Sequence, residues 1–197
     1  MKSMTIDQLD LNDTYTYADY LKWTFQERLE LIKGRIFKMS PAPSRKHQEV
    51  SSNLHGIMYG FMKEHQCKLY SAPFDVRLTP RKADKSNKIH TVVQPDICVV
   101  CNLDKLDDNG CVGAPDFIIE ILSPGNTRKE MKDKYEVYEE NGVREYWIVH
   151  PNDKYILKYI LDEKGKYTLG QHYFGEEIVA STVIPRLKIQ VNDIFEE

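Results

Sequence analysis

The chain has 197 residues, of which 41% are hydrophobic and 29% are charged, a composition typical of an ordinary soluble globular protein. Its net charge of −3 counts against a protein that coats nucleic acid with its whole surface, and no segment approaches the roughly 18 to 20 apolar residues of a membrane span. No repeat or linker divides the chain and its first residues carry no apolar signal region, so the sequence predicts one cytoplasmic domain over residues 1–197 with no membrane partner.

The first elements alternate between helix and hairpin signals. Aromatic and aliphatic residues at mixed spacing indicate a short helix within residues 14–28. Lys33-Gly34 separates two apolar runs and predicts a hairpin of strands 29–32 and 35–39. After a proline-rich break, apolar residues recur at helical spacing and predict a helix over about 45–65, namely at Val50, Leu54, Ile57, Met58, Phe61 and Met62.

The middle of the chain is predicted to be mostly strand. Short strands are expected at 69–70 and 74–78, followed by a polar loop over 80–91 and by apolar strands at 96–101 and 116–122. A local basic cluster accompanies the loop, and we interpret it as a solvated segment rather than a binding patch. Its members are Arg77, Arg81, Lys82, Lys85 and Lys88, with His90 close by.

The second half begins with a helix signal. Thr127 and Glu130 fit a capping box, and Asn141-Gly142 fits a helix end, so a helix is predicted over about 127–140. The order of elements predicts an α/β fold in which a mixed sheet is flanked by helices. The remaining strands are expected at 144–150 and 154–161 and around 165–174 and 187–191.

Cys98 and Cys101 form a CxxC pair, which raises the possibility of zinc binding. Residues three apart on a strand point to opposite faces, so the pair cannot ligate one ion if the strand prediction holds. We therefore interpret the four cysteines, Cys67, Cys98, Cys101 and Cys111, as buried reduced thiols.

Glu120 is the most informative residue, because it interrupts an apolar strand predicted to be buried on both faces. A carboxylate there loses its water and needs a cation, a metal or several donors. Asp96 opens the other apolar strand, and Lys134 lies on the apolar stripe of the predicted helix with Met131 and Tyr138. Structural alternatives stay open: Asp96 as a turn residue, Glu120 in an ion pair, and Lys134 as a stem that covers apolar surface.

Two carboxylates beside a lysine are typical of a divalent-metal hydrolytic site. The metal would bind a phosphate and lower the pKa of a bound water, and the lysine would orient that water or stabilise the transition state. The sequence therefore predicts Asp96, Glu120 and Lys134 as catalytic residues.

These residues carry a family resemblance. Pro95-Asp96 with Glu120 is similar to the PD-(D/E)XK nuclease superfamily, and longer motifs resemble the Uma2 family of restriction-endonuclease-like proteins. The resemblance covers about residues 15–190. Its motifs are Glu30 to Gly34, Ser40-Pro41 with His47-Gln48, Gln94 to Ile97, Gly113 to Asp116, Ile119 to Pro124 and Gly142 to Trp147.

The resemblance implies a restriction-endonuclease-like core and a metal held by Asp96, Glu120 and the main-chain carbonyl of Ile121. The superfamily lysine is expected two residues after the acid, where this chain has Leu122, and Lys134 takes its place. An additional acidic residue is expected near the first helix, with Glu30 preferred and Glu49 second.

We therefore predict a Mg²⁺- or Mn²⁺-dependent endonuclease-like hydrolase that cleaves phosphodiester bonds of nucleic acid, with DNA preferred. His47 and Glu30 are accessory site residues, and the many aromatic residues favour a homodimer. The alternative is a catalytically silent binding or assembly module in which the same acids and lysine form a buried ion-pair network.

Overall fold

The structure of the protein is a computed structural model that describes residues 6, 9–24, 27–39, 43–79, 89–124 and 128–196. The helices are α1 (Tyr17–Tyr20), α2 (Arg45–Met62), α3 (Arg128–Asn141) and α4 (Val191–Ile194). The first strands are β1 (Leu29–Ile32), β2 (Arg35–Lys38), β3 (Lys68–Ser71), β4 (Val76–Leu78), β5 (Thr91–Val93), β6 (Ile97–Val100), β7 (Leu106–Asp107) and β8 (Gly110–Val112). The others are β9 (Phe117–Ile121), β10 (Glu145–His150), β11 (Tyr155–Ile160), β12 (Gln171–Phe174), β13 (Ile178–Ala180) and β14 (Lys188–Gln190).

Most strands belong to two mixed, six-stranded sheets. The first has the order β2-β1-β5-β4-β8-β7, and the second has the order β12-β11-β10-β9-β6-β3. In the second sheet β9 and β10 are parallel and are connected through α3, whereas β6 pairs antiparallel with β9. This arrangement places the two apolar strands of the sequence side by side at the centre of the sheet.

The central strands of the second sheet, β6, β9 and β10, are buried on both faces. One face packs on α2 and α4, with Ile119 of β9 and Trp147 of β10 in that core. The other face packs on α3 and the first sheet, with Ile118 and Tyr146 in that core. Because alternate residues of a strand point to opposite faces, the strands have no polar side and appear as continuous apolar runs in the sequence.

Most predicted elements are present, and the deviations have local causes. The hairpin around Lys33-Gly34 and the long helices are confirmed, although α2 ends at Met62. The short helix expected within residues 14–28 is confirmed as α1, which has 4 residues; Thr16 and Asp19 form a capping box at its start. Strands β5, β7, β8 and β13 are too short to give a periodic signal, and they were not predicted. Thr127, the predicted cap of α3, and most of the predicted 80–91 loop lie outside the described residues.

The prediction that the basic cluster is solvated was wrong for Arg77. That side chain is buried in β4, pairs with Asp107 and lies 5.2 Å from the centre of the Tyr17 ring. His90 lies against the backbone oxygen of Tyr15 at 3.1 Å. The other members, Arg81, Lys82, Lys85 and Lys88, lie outside the described residues.

The prediction of reduced cysteines was wrong for one pair. Cys67 and Cys101 form a disulfide, because the register of β3 and β6 places them opposite each other just beyond Lys68 and Val100. Cys98 and Cys111 are free and buried. The parity argument against zinc binding by Cys98 and Cys101 is confirmed, since Cys98 packs in the core on α3 and Cys101 packs against the core on α2.

Glu145, the first residue of β10, is fully buried and organises the segment before β14. Its Oε1 accepts a hydrogen bond from the Trp147 indole at 2.8 Å. Its Oε2 accepts bonds from the Ser181 hydroxyl at 2.9 Å and from the backbone N–H groups of Thr182 and Val183 at 2.8 and 3.0 Å. This set of donors compensates a buried charge. It gives the acid of the Gly142 to Trp147 motif a structural role.

We expect Glu145→Gln to lower the free energy of unfolding by about 3 kcal/mol, since an amide replaces one acceptor oxygen by a donor that faces other donors. Urea denaturation measures the change. The control is Glu64→Gln at an exposed position, for which a change within about 0.5 kcal/mol is expected. Equal stabilities of the Glu145 variant and the control would refute the role given to this carboxylate.

Candidate functional site

An open cleft of about 170 Å³ lies between α2 and the β1–β2 hairpin. Asp96 and Glu120 lie at its base, and Lys134 of α3 closes one end. Because Ile97 pairs with Ile119, Asp96 and Glu120 occupy the next facing positions of the two strands. Directly opposite residues of antiparallel strands share a face of the sheet, so both carboxylates lie on the same side.

Glu120 is 7% exposed and is held by two donors on one oxygen. Its Oε1 accepts a hydrogen bond from the Tyr138 hydroxyl at 2.6 Å and lies 3.1 Å from Lys134 Nζ. Burial raises the pKa of the Glu120 carboxyl to about 7; Lys134 opposes this shift, and the charges of Asp96 and Glu30 add to it. The carboxylate is therefore destabilised where it stands, and an additional cation would relieve it.

Lys134 joins α3 to both large sheets. Its Nζ lies 3.1 Å from Glu120 Oε1 in the second sheet and 3.1 Å from Glu30 Oε2 in the first. The side chain is buried, as its place on the apolar stripe of the helix predicts. Burial lowers the pKa of Lys134, but the carboxylates of Glu120 and Glu30 more than offset this and hold the pKa above its ordinary value. The amine is thus an ammonium at neutral pH.

Asp96 has different partners. Its Oδ2 accepts a hydrogen bond from the backbone N–H of Ile121 at 2.7 Å, and its Oδ1 lies 3.2 Å from His47 Nε2. Burial lowers the pKa of His47, but the hydrogen bond and charge of Asp96 outweigh burial and raise the pKa above its ordinary value. His47 Nδ1 is buried and has no hydrogen-bond partner among the residues that the structure describes. The strand end that carries Asp96 is thereby fixed to α2 and to β9.

The two candidates for the additional acidic residue, Glu30 and Glu49, lie in different places. Glu30 is 1% exposed, and its Oε1 accepts the backbone N–H of Gln94 at 2.8 Å, so it joins the site through both Lys134 and Gln94. Glu49, the second candidate, pairs with exposed Arg45 on α2 and does not line the cleft. Leu122 packs against the core beside α3, so an apolar residue does occupy the position at which the superfamily has lysine.

The donor set fits a hard divalent cation in part. Asp96, Glu120 and the Ile121 carbonyl offer oxygen ligands, which Mg²⁺ and Mn²⁺ accept together with water. The acids Asp96, Glu120 and Glu30 also carry more negative charge than Lys134 and His47 can balance. Within the described ranges, no group of three or more His, Cys, Asp or Glu side chains is arranged to hold a metal. Any ion here would therefore depend on two carboxylates, a main-chain carbonyl and water.

Several functional contacts were not predicted from the sequence. Tyr138 appeared only as an apolar member of the α3 stripe, and its hydroxyl proves to donate to Glu120. Gln94 belongs to the motif before Pro95, and its side chain accepts two hydrogen bonds from Arg28 at the wall of the cleft. Periodicity cannot reveal such contacts, because it reports which face a residue lies on and not its partner.

Two comparisons with known proteins find similarity, one in sequence to a family and one in fold. The family model Uma2, described as "Putative restriction endonuclease", matches residues 17–192. A crystal structure described as a putative nuclease belonging to DUF820 from Anabaena variabilis ATCC 29413 has a TM-score of 0.73 to this chain at 18% sequence identity, and the match covers 92% of this chain and 97% of that chain. No curated protein matches the chain. The structural similarity confirms the predicted α/β fold class. In the part of the chain that the structure describes, no helix is both long and apolar enough to cross a bilayer.

We expect Glu120→Gln to be more stable than the wild type by about 3 kcal/mol at pH 8 and to lose most of this advantage at pH 5. The folded state binds the Glu120 proton more tightly than the unfolded state, since its pKa is about 7 instead of the ordinary 4.5. Wild-type stability therefore falls as the pH rises from about 4.5 to 7, and the variant lacks this loss.

Urea denaturation at both pH values in EDTA measures the difference. Glu163→Gln is the control at an exposed carboxyl, for which we expect no pH-dependent advantage. A Glu120→Gln protein that is less stable than the wild type at pH 8 would show that the carboxylate is not destabilised by its surroundings.

Proposed function

The chain belongs to the Uma2 family, and from this premise we propose that it is a divalent-metal-dependent nuclease that hydrolyses phosphodiester bonds, with DNA as the preferred substrate. One observation carries the proposal: Lys134 Nζ lies 3.1 Å from Glu120 at the base of an open cleft, with Asp96 on the same face of the sheet. An acid pair and an ammonium in a solvent-accessible cleft match the requirements of phosphodiester hydrolysis.

Each residue has a distinct proposed role. Asp96, Glu120 and the carbonyl of Ile121 would hold Mg²⁺ or Mn²⁺, which supplies charge neutralisation at the phosphate and a more acidic water. Lys134 is held as an ammonium, so it donates a hydrogen bond to the attacking water or to a phosphate oxygen and does not act as a base. Glu30 aims the ammonium, because it contacts Lys134 from the first sheet while Glu120 contacts it from the second. His47 fixes the orientation of Asp96.

A second function is favoured by one feature of the same site. Lys134 bridges two buried carboxylates, and each accepts one further hydrogen bond, Glu120 from Tyr138 and Glu30 from the backbone of Gln94. Such a network can persist in a binding or assembly module without catalysis. The metal response separates the two functions, since only a metal site gains stability from a cation.

We further propose that residues 1–197 act as one cytoplasmic domain that forms a homodimer. Exposed apolar side chains such as Phe174 and Ile178 are available to bury in a contact between copies. Light scattering of the purified protein distinguishes one copy from two.

We expect Asp96→Ala and Lys134→Ala each to reduce the cleavage rate by about 100-fold or more, because each removes a charge aimed at the reacting phosphate. The assay is cleavage of labelled single- and double-stranded DNA in Mn²⁺ or Mg²⁺. Lys132→Ala is the matched control, since Lys132 lies on the same helix with its side chain 75% exposed. Wild-type rates in the Lys134 variant would eliminate its proposed role.

We expect Mn²⁺ at about 100 times its Kd to add about 2.7 kcal/mol to the stability of the wild type, which raises Tm by about 5 to 10 °C. Asp96→Asn removes one ligand charge and should abolish most of the shift. Differential scanning fluorimetry with Mn²⁺, against EDTA, measures both. A Tm that does not respond to Mn²⁺ or Mg²⁺ would favour the silent ion-pair network.

A further inference from the structure

The cleft wall opposite α2 carries two cations that the site described above does not use. Arg28, just before β1, and Lys38, at the end of β2, both line the cleft. Both side chains are exposed, and within the described ranges neither forms an ion pair. Their charges therefore remain available to an anion that enters the cleft.

Arg28 is exposed but fixed in place. Its Nε and Nη2 both donate to the side-chain oxygen of Gln94, at 3.2 and 2.8 Å. The Gln94 amide nitrogen donates in turn to Asp75 at 2.8 Å, and the Gln94 backbone N–H donates to Glu30. The guanidinium is thus held by an uncharged oxygen, which orients it and does not neutralise it. A long side chain that is already ordered loses less entropy when it binds a ligand.

The position of Arg28 relative to the acids follows from strand parity. Arg28 precedes Glu30 by two residues, so both side chains lie on the same face of the hairpin. Lys38 pairs with Leu29 and so belongs to the other face, and it lines the cleft from the end of β2. Glu30 contacts Lys134, and Lys134 contacts Glu120, which places the guanidinium on the wall beside the proposed catalytic residues. Gln94 lies two residues before Asp96, so one short segment positions both the acid and the cation.

The charges that line the cleft indicate which ligand the wall with Arg28 and Lys38 can bind. A nucleic-acid strand is repelled by Asp96, Glu120 and Glu30, and Lys134 is already shared between two carboxylates. Binding of a phosphodiester chain therefore requires cations outside that network. Guanidinium and ammonium groups are the side chains that bind phosphate oxygens, and Arg does so with paired donors.

We propose that Arg28 and Lys38 bind backbone phosphates of the nucleic-acid strand next to the phosphate that is cleaved, and that Gln94 positions Arg28 for this contact. The inference rests on the proposed nuclease function and assigns substrate-binding residues to it. Phosphate contacts of this kind are independent of base sequence, so they set affinity and register rather than specificity.

The test is the salt dependence of binding to a labelled 20-nucleotide DNA, single-stranded and duplex, measured by fluorescence anisotropy in Ca²⁺ with the DNA shown to stay intact. Each lost phosphate contact should reduce the slope of log K against log salt by about 0.7 for a single strand or 0.9 for a duplex. We expect Arg28→Ala and Lys38→Ala each to lower the slope by this amount and to weaken binding about tenfold at low salt. Lys164→Ala, at an exposed position between β11 and β12, is the matched control and should leave both unchanged.

Two failures are distinguishable. If the wild type binds and cleaves DNA and the Arg28 and Lys38 variants keep its salt slope, the phosphate contacts are wrong and the nuclease function stands. Both proposals are overturned if the wild type binds neither the single-stranded nor the duplex DNA at low salt and also fails to cleave DNA or RNA in Mn²⁺. Gln94→Ala tests the positioning role, because this variant keeps both Arg28 and Lys38. Weaker DNA binding with an unchanged salt slope supports the role of Gln94, whereas wild-type affinity refutes it.

Discussion

The Lys134 ammonium, held between Glu30 and Glu120, is the interaction on which the site depends. It joins α3 to the first sheet through Glu30 and to the second sheet through Glu120, with 3.1 Å to each carboxylate. Three separate elements thereby meet at one buried point at the end of the cleft. Removal of the amine would leave two buried carboxylates without a counter-charge, which is more costly than loss of the contact itself.

A buried ion pair of this kind contributes little net stability compared with apolar residues of the same volume. The site adds a further cost, since Asp96 lies on the same face and burial already raises the pKa of Glu120 to about 7. A set of acids that repel one another is typical of a place where a cation or a reacting group is to be bound. This repulsion supports the proposed metal site, because a divalent cation would relieve it.

Each of the two acids at the base of the cleft is held by its own set of partners. His47 and the backbone of Ile121 hold Asp96, whereas Tyr138 and Lys134 hold Glu120. Gln94 connects this centre to the wall that carries Arg28.

The disulfide between Cys67 and Cys101 lies at the end of β6 that is farther from Asp96. It therefore restrains the same strand without contact with the cleft. Disulfides are rare in cytosolic proteins, so this bond stands in tension with the cytoplasmic location expected from the sequence.

The sequence by itself determined the central strands, the long helices and the presence of Lys134 on the inner stripe of α3, because apolar periodicity and a carboxylate in an apolar run are local signals. It also identified Asp96, Glu120 and Glu30 as residues that belong together, through their motifs. Only the tertiary structure decided which atoms meet: that Tyr138 donates to Glu120, that Gln94 holds Arg28, and that Cys67 pairs with Cys101. The short strands β5 and β8 were also settled at this level, since they pair with β1 and β4, which are distant in the chain. The physical reason is that burial follows from the pattern of one segment, whereas a hydrogen-bond partner or a strand neighbour depends on the register between segments, which no single segment encodes.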